Sequence, residues 1–309
     1  MIKVENLCKH FGNVVAVEDL SFSVAPGEVL GFLGPNGAGK STTMKMIAGF
    51  LAPSSGSVEV CGHIVGENTR DAQQCIGYLP EGAPSYDDMS VEAFLVFIAT
   101  VRGFRGAEVV ARVQKVSDQL ELGSVFDRRI EMLSKGFKRR VGLAQAILHD
   151  PRVLILDEPT DGLDPNQKHQ VRELIKGLAE DKIVVISTHI LEEVDAVCNR
   201  AMIIANGSLI ADGTPAELEA RSPAHRSVHL HLAEDAENLE KLQELAGVKQ
   251  LEIAPDRRSV VVYPEPDESI LPRVASMVHE QGWSVDELHL ERGRLDDVFR
   301  QITREEVNA

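Results

Sequence analysis

Gly34-Pro35-Asn36-Gly37-Ala38-Gly39-Lys40-Ser41 is the stretch that decides the fold. It satisfies G-x-x-x-x-G-K-[ST] at every fixed position. It follows the apolar run EVLGFLG (28–34) and precedes a segment in which Met44, Ile47 and Ala48 recur at helical spacing. Strand, glycine loop and helix in that order make a phosphate cradle. The glycines let backbone N–H groups turn inward, and the helix start already favours an anion. Lys40 is placed for the β- and γ-phosphates of a nucleoside triphosphate, Ser41 for a Mg2+ ion, and Thr42 adds a second hydroxyl. The competing reading is an accidental glycine-rich turn, and the flanking strand and helix argue against it. The unit predicts an α/β protein of the P-loop NTPase type, with a RecA-like core and a mostly parallel sheet.

Two further apolar runs, VLILDE (153–158) and KIVVIST (182–188), have the composition of strands covered on both faces in such a sheet. The first ends in Asp157 and Glu158. An acid at the C-terminal end of a core strand points into the crevice where α/β ligands bind. Asp157 is therefore the expected Mg2+ carboxylate, and Glu158 the group that orients or deprotonates an attacking water. An ordinary acidic turn fits the same residues. His189, just after the second run, sits at the same edge, although a lone histidine is more often structural. Asp164 before Pro165 reads as a helix cap with proline at the first helical position.

The 309 residues carry 32 basic and 48 acidic side chains, a net charge of −16. No basic face for nucleic acid is expected from that balance. The hydrophobic fraction of 43% is that of a globular protein with a sizeable core. Cys8, Cys61, Cys75 and Cys198 form no C-x-x-C pair and read as reduced thiols in a cytoplasmic protein. The start MIKVENLCKHFG lacks a signal-peptide core, and no apolar run reaches the roughly 18 residues of a membrane span.

Between the cradle and VLILDE, a helical insert is expected over about 86–150. Val91, Phe94, Leu95 and Ile98 mark one face, and Val110, Val113 and Leu120 another. Leu20, Phe22 and Val24 alternate as a half-buried strand. IIANGSLIADG reads as a hairpin turning at Asn206-Gly207, and Thr214-Pro215-Ala216-Glu217 as a capping box. A composition shift near Arg221-Ser222-Pro223 divides an ATP-binding-type domain, 1–220, from a small α+β domain, 221–309. The latter parses as βαββαβ, the ferredoxin-like order, with a helix marked by Leu239, Leu242 and Leu245 and a last helix over Asp296–Ile302. In it His229 and His231 share a strand face, with His225 nearby; an exposed face and a metal site are both open readings.

LSKGFKRR (133–140) is an odd helix start, because helix N-termini favour acids. Either its charges are solvated or they face an anion. In chain order, Phe11, the loop 34–41, YLPE (78–81), LSKGF (133–137), 153–158, GLDP (162–165) and STH (187–189) resemble the ATP-binding subunits of ABC transporters, over residues 1 to about 220. The departures, LSKGF for the family's LSGGQ and Glu81 for a glutamine, resemble drug-resistance and gliding-motility-type exporter ATPases. The chain is thus similar to a subunit that binds and hydrolyses ATP with Mg2+ while driving a separate multi-span membrane permease from the cytoplasmic face. A soluble, non-transport ABC ATPase is the alternative.

That resemblance implies a head-to-tail dimer, with a second copy or a homologous ATPase subunit, around two ATP. Ser134 and the Gly136 N–H would then donate to phosphate in trans, from a helix running from about Phe137 to Leu148. Phe11 would stack on adenine, rather than cover the core as a loop aromatic. Glu81 would join the Mg2+ ligands and sense the γ-phosphate, which His189 would contact. Asp164 would couple the two sites. The insert and the segment after Glu81 would receive the permease. Lys135 would add charge near phosphate or face solvent; Lys138 and Arg139 are readable as solvated.

Overall fold

The computed structural model describes residues 1–83, 85–266 and 268–300. By compactness the chain divides into Met1–Pro215 and Ala216–Ala309.

The first unit runs β1 (Ile2–Phe11), β2 (Val14–Val24), β3 (Val29–Leu33), α1 (Lys40–Ile47), β4 (Ser55–Val60), β5 (His63–Ile64), α2 (Thr69–Gln74) and β6 (Ile76–Leu79). It continues with α3 (Val91–Val101), α4 (Ala107–Gln119), α5 (Lys135–Ile147), β7 (Val153–Asp157), α6 (Pro165–Ala179), β8 (Ile183–Thr188), α7 (Leu191–Val197), β9 (Arg200–Ala205) and β10 (Ser208–Gly213). Six strands form one sheet in the order β10-β9-β3-β8-β7-β6. Its pairings are parallel except the β9–β10 hairpin, where Asn206 and Gly207 both take positive φ, 47° and 81°. That is the geometry an Asn-Gly two-residue turn supplies.

Every residue of β3, β7 and β8 is buried, as their continuous apolar runs require. A second, antiparallel sheet, β2-β1-β4-β5, has one face in the core. Its Phe22 meets Phe32 of β3 edge-to-face at 5.4 Å, and α1 adds Met44, Met46 and Ile47 to the same cluster. In the insert, Val91, Phe94 and Leu95 are buried as expected, but Val110 is 68% exposed. The buried stripe of α4 is instead Val109, Val113 and Val116, continuing to Leu120, and Val110 lies one step off it. α5 begins at Lys135, two residues before the expected start, because Ser134 caps it.

α8 (Pro215–Glu219) begins at the division, and the second unit continues with β11 (Val228–Leu232), β12 (Val248–Ile253), β13 (Ser259–Pro264), α9 (Leu271–Gln281) and β14 (Val285–Leu290). Its sheet order, β12-β13-β11-β14 with every neighbour antiparallel, is that of a ferredoxin-like domain. The helix expected at Leu239–Leu245 is a 3-10 segment, Leu239–Glu244. The spacing of three between Leu239 and Leu242, both buried, suits three residues per turn, and Leu245 is already extended. Residues 295–300 are helical; Gln301 and Ile302 of the expected last helix lie outside the described residues. No helix among the described residues is long and apolar enough to cross a membrane.

Candidate active site

The cradle loop leaves the end of β3 and enters α1, and two of its glycines are sterically obligatory. A Cβ on Gly34 would stand 2.3 Å from the Ile204 carbonyl oxygen. One on Gly39 would stand 2.4 Å from that of Ala16, at a φ of 102°. The loop between them is held by bonds from the Ala38 N–H to the Pro35 carbonyl (3.2 Å) and from the Gly207 N–H to the Ala38 carbonyl (3.1 Å). α1 has no side-chain cap and no acid in its first turn, so its amide donors stay open to an anion.

Lys40, 6% exposed, donates to the Gly34 (2.6 Å) and Pro35 (3.0 Å) carbonyls. Burial lowers its pKa, against the opposing pull of Glu158, Asp157 and Glu81. Ser41 and Thr42 are half-buried on the first turn, while Thr43 turns back to the Gly39 carbonyl (2.9 Å).

At the end of β7, Asp157 is 1% exposed. One of its oxygens accepts from the Ser187 hydroxyl, and the other, Oδ2, is buried without a hydrogen-bond partner. A buried carboxylate oxygen left unpartnered is costly unless a ligand meets it. The next residue, Glu158, takes φ of 50°, and its N–H donates to the Ser187 carbonyl (3.2 Å) and hydroxyl (3.1 Å). That turn aims Glu158 at His189, whose Nδ1 lies 2.8 Å from Oε1. The structure therefore brings Lys40, Asp157, Glu158 and His189 to the edge of one sheet, with the exposed Glu81 near enough to influence Lys40.

Ser134 and Gly136 sit elsewhere on the chain. Ser134 Oγ accepts from the Phe137 N–H at 3.4 Å, and a Cβ on Gly136 would press Gln167 and Leu163. Asp164 caps α6, accepting from the Gln167 N–H at 2.9 Å. Phe11, 50% exposed, does not cover the core; the Lys9 ammonium lies 5.1 Å from its ring centroid.

Three residues of this neighbourhood escape sequence reasoning. Arg139, readable as solvated, is 4% exposed and donates to the Pro80 (3.3 Å) and Asp157 (3.4 Å) carbonyls. It joins α5 to both the segment before Glu81 and the end of β7. Lys138, by contrast, is partly exposed, 3.9 Å from Asp87. Ser187 holds Asp157 and Glu158 together, and its place in IST just before His189 was the available signal. Glu193, also buried, accepts from Thr160 and Thr188, tying the loop after β7 to the end of β8.

A sequence model described as ABC transporter matches residues 17–161. The chain is 39% identical over 220 residues to the Nod factor export ATP-binding protein I of Paraburkholderia xenovorans, covering 71% of this chain and 72% of that one. It is equally 39% identical to the linearmycin resistance ATP-binding protein LnrL of Bacillus subtilis, over 72% of this chain and 71% of that one. A solved ATP-binding subunit of an ABC transporter, 30% identical, superposes with a TM-score of 0.67 over 72% of this chain and 92% of its own.

Proposed function

This chain belongs to the ATP-binding proteins of ABC transporters, and on that premise we propose that it powers an exporter as one of two ATPase subunits closing head-to-tail around ATP. Binding and hydrolysis of ATP are the activity of the family. The observation that carries the catalytic assignment is the Glu158–His189 pair, 2.8 Å apart, beside the partnerless buried oxygen of Asp157.

In this reading Lys40 exchanges the Gly34 and Pro35 carbonyls for the β- and γ-phosphates, while the open amides at the start of α1 hold the remaining oxygens. Phe11 offers its exposed ring to adenine. Asp157, Ser41 and Glu81 present the hard oxygen donors that Mg2+ takes. Bound there, the ion would neutralise phosphate charge. Glu158 accepts the proton of the attacking water, and His189 fixes the Glu158 carboxylate through Nδ1 while its other nitrogen remains for the γ-phosphate.

Ser134 and the Gly136 N–H of a second copy would close each site. The start of α5 supports this, having Lys135 and Lys138 but no acid in its first turn. Asp164 at the neighbouring helix start would link the two sites. The exposed Tyr86 and Phe97, edge-to-face at 5.5 Å on the insert, suit contact with a membrane subunit. Export rather than import rests on the two relatives named for export and for antibiotic resistance.

The test is Glu158→Gln with Mg-ATP. Turnover should fall about 10²–10⁴-fold, ATP binding should persist, and light scattering should report a trapped dimer. Pull-down of that dimer from solubilised membranes should recover a multi-span protein. Normal turnover would sink the catalytic assignment, and recovery of soluble partners alone would sink the transport one.

A further inference from the structure

The outer face of the second unit's sheet carries ligands that the ATPase reading does not use. Val228, Leu230 and Leu232 of β11 point into the core, which sends His229 and His231 to the opposite face. Across the ladder His229 pairs directly with His289 of β14, and His231 with Glu287. The two paired imidazoles stack, centroids 5.0 Å apart with 22° between the planes. Glu291, two residues beyond His289, returns to the same place, because its N–H donates to the Ser227 carbonyl at 2.8 Å.

We propose that His229, His289 and Glu291 form a binding site for a divalent transition metal of the zinc class. One ligand atom from each lies within 4.8 Å of the others. A zinc ion with bonds of about 2.0–2.1 Å needs its ligands roughly 3.3 Å apart. Small side-chain rotations close that gap, since His289 is well exposed and His229 and Glu291 are partly so. Two imidazoles and one carboxylate are a borderline donor set, suited to zinc and its neighbours rather than to Mg2+ or Ca2+. The surroundings also fit. Glu287 lies 3.1 Å from His289 Nδ1, an outer carboxylate that orients the ring and leaves Nε2 for the metal. A depression of about 210 Å³ lined by His229, His231, Glu287 and His289 opens beside two of the three ligands. His231, bonded to Ser259, and His225, bonded to the Arg292 carbonyl, stand outside the three-residue set. Arg294, 3.6 Å from Glu291, is the group a metal would displace.

The experiment is calorimetric titration of Zn2+ into the chelator-treated full-length protein at neutral pH, without nucleotide, with His229→Gln, His289→Gln and Glu291→Gln alongside. The expected result is one saturable Zn2+ per chain, weakened at least about 10–100-fold by each substitution. Zinc should raise the melting temperature of the unaltered protein more than that of any variant. Cobalt gives a reading that needs no variant: Co2+-loaded protein should show a nitrogen and oxygen ligand spectrum without a thiolate charge-transfer band. A thiolate band, zinc binding unchanged by the substitutions, or no saturable binding would each overturn the proposal.

Discussion

The two units place chemistry on their sheets in opposite ways. In the six-stranded sheet, β3, β7 and β8 are buried along their whole length, so a side chain in them can meet a ligand only from the last residue of a strand, as Asp157 does on β7. The candidate site groups lie at strand ends: the cradle after β3, Asp157 and Glu158 at the end of β7, His189 after β8. In the second unit's four-stranded sheet one face packs on α9 and the other is more open, so β11 alternates buried and accessible residues. There the candidate ligands lie along the strands, matched by cross-strand register. A sheet covered on both sides offers only its edge for catalysis, whereas one covered on a single side offers a surface.

That contrast can be broken by substitution. Glu158→Gln, at a strand end, should have the largest effect, on turnover and not on folding. Ile155→Ala, three residues earlier and fully buried, should leave the site's chemistry in place but destabilise the protein by about 2–5 kcal/mol in denaturant melts. A smaller loss would mean β7 is not sealed on both faces.

Arg139→Met removes the cation joining Pro80 and Asp157, leaving two carbonyls short of a donor, at about 1–3 kcal/mol. Both ATPase rate and melting temperature should drop, because the same bonds position the end of β7. If stability falls while the ATPase rate of the folded protein is unchanged, Arg139 is structural only. Lys249→Ala, on an exposed position of β12, should shift stability by no more than about 0.5 kcal/mol. A larger shift would show that the second unit's sheet is covered where the structure leaves it open.

Much of this was readable in the chain. The Walker-type octet fixed the fold class because its glycines answer local geometry: Gly39 adopts a backbone conformation that few side chains tolerate. The apolar runs identified the buried strands, and Asn206-Gly207 identified a hairpin. Readings failed where two patterns compete locally. The leucines at 239, 242 and 245 satisfy helical spacing only loosely, and the chain takes the tighter 3-10 turn. Val110 has the hydrophobicity of a core residue, but the packed stripe passes through Val109.

The sequence by itself determined which residues bear charge, which segments must be covered, and where a phosphate can be cradled, since composition, periodicity and glycine spacing act over a few residues. Tertiary structure alone decided which distant groups meet. Arg139 looks like one more solvated cation until β7 and the loop before Glu81 close over it. Ser187 becomes the clasp of Asp157 only because β8 lies beside β7 in register. His229 is an isolated strand histidine until β14 brings His289 across from it. Each of these pairings depends on the register and burial of strands far apart in the chain, which no local pattern encodes.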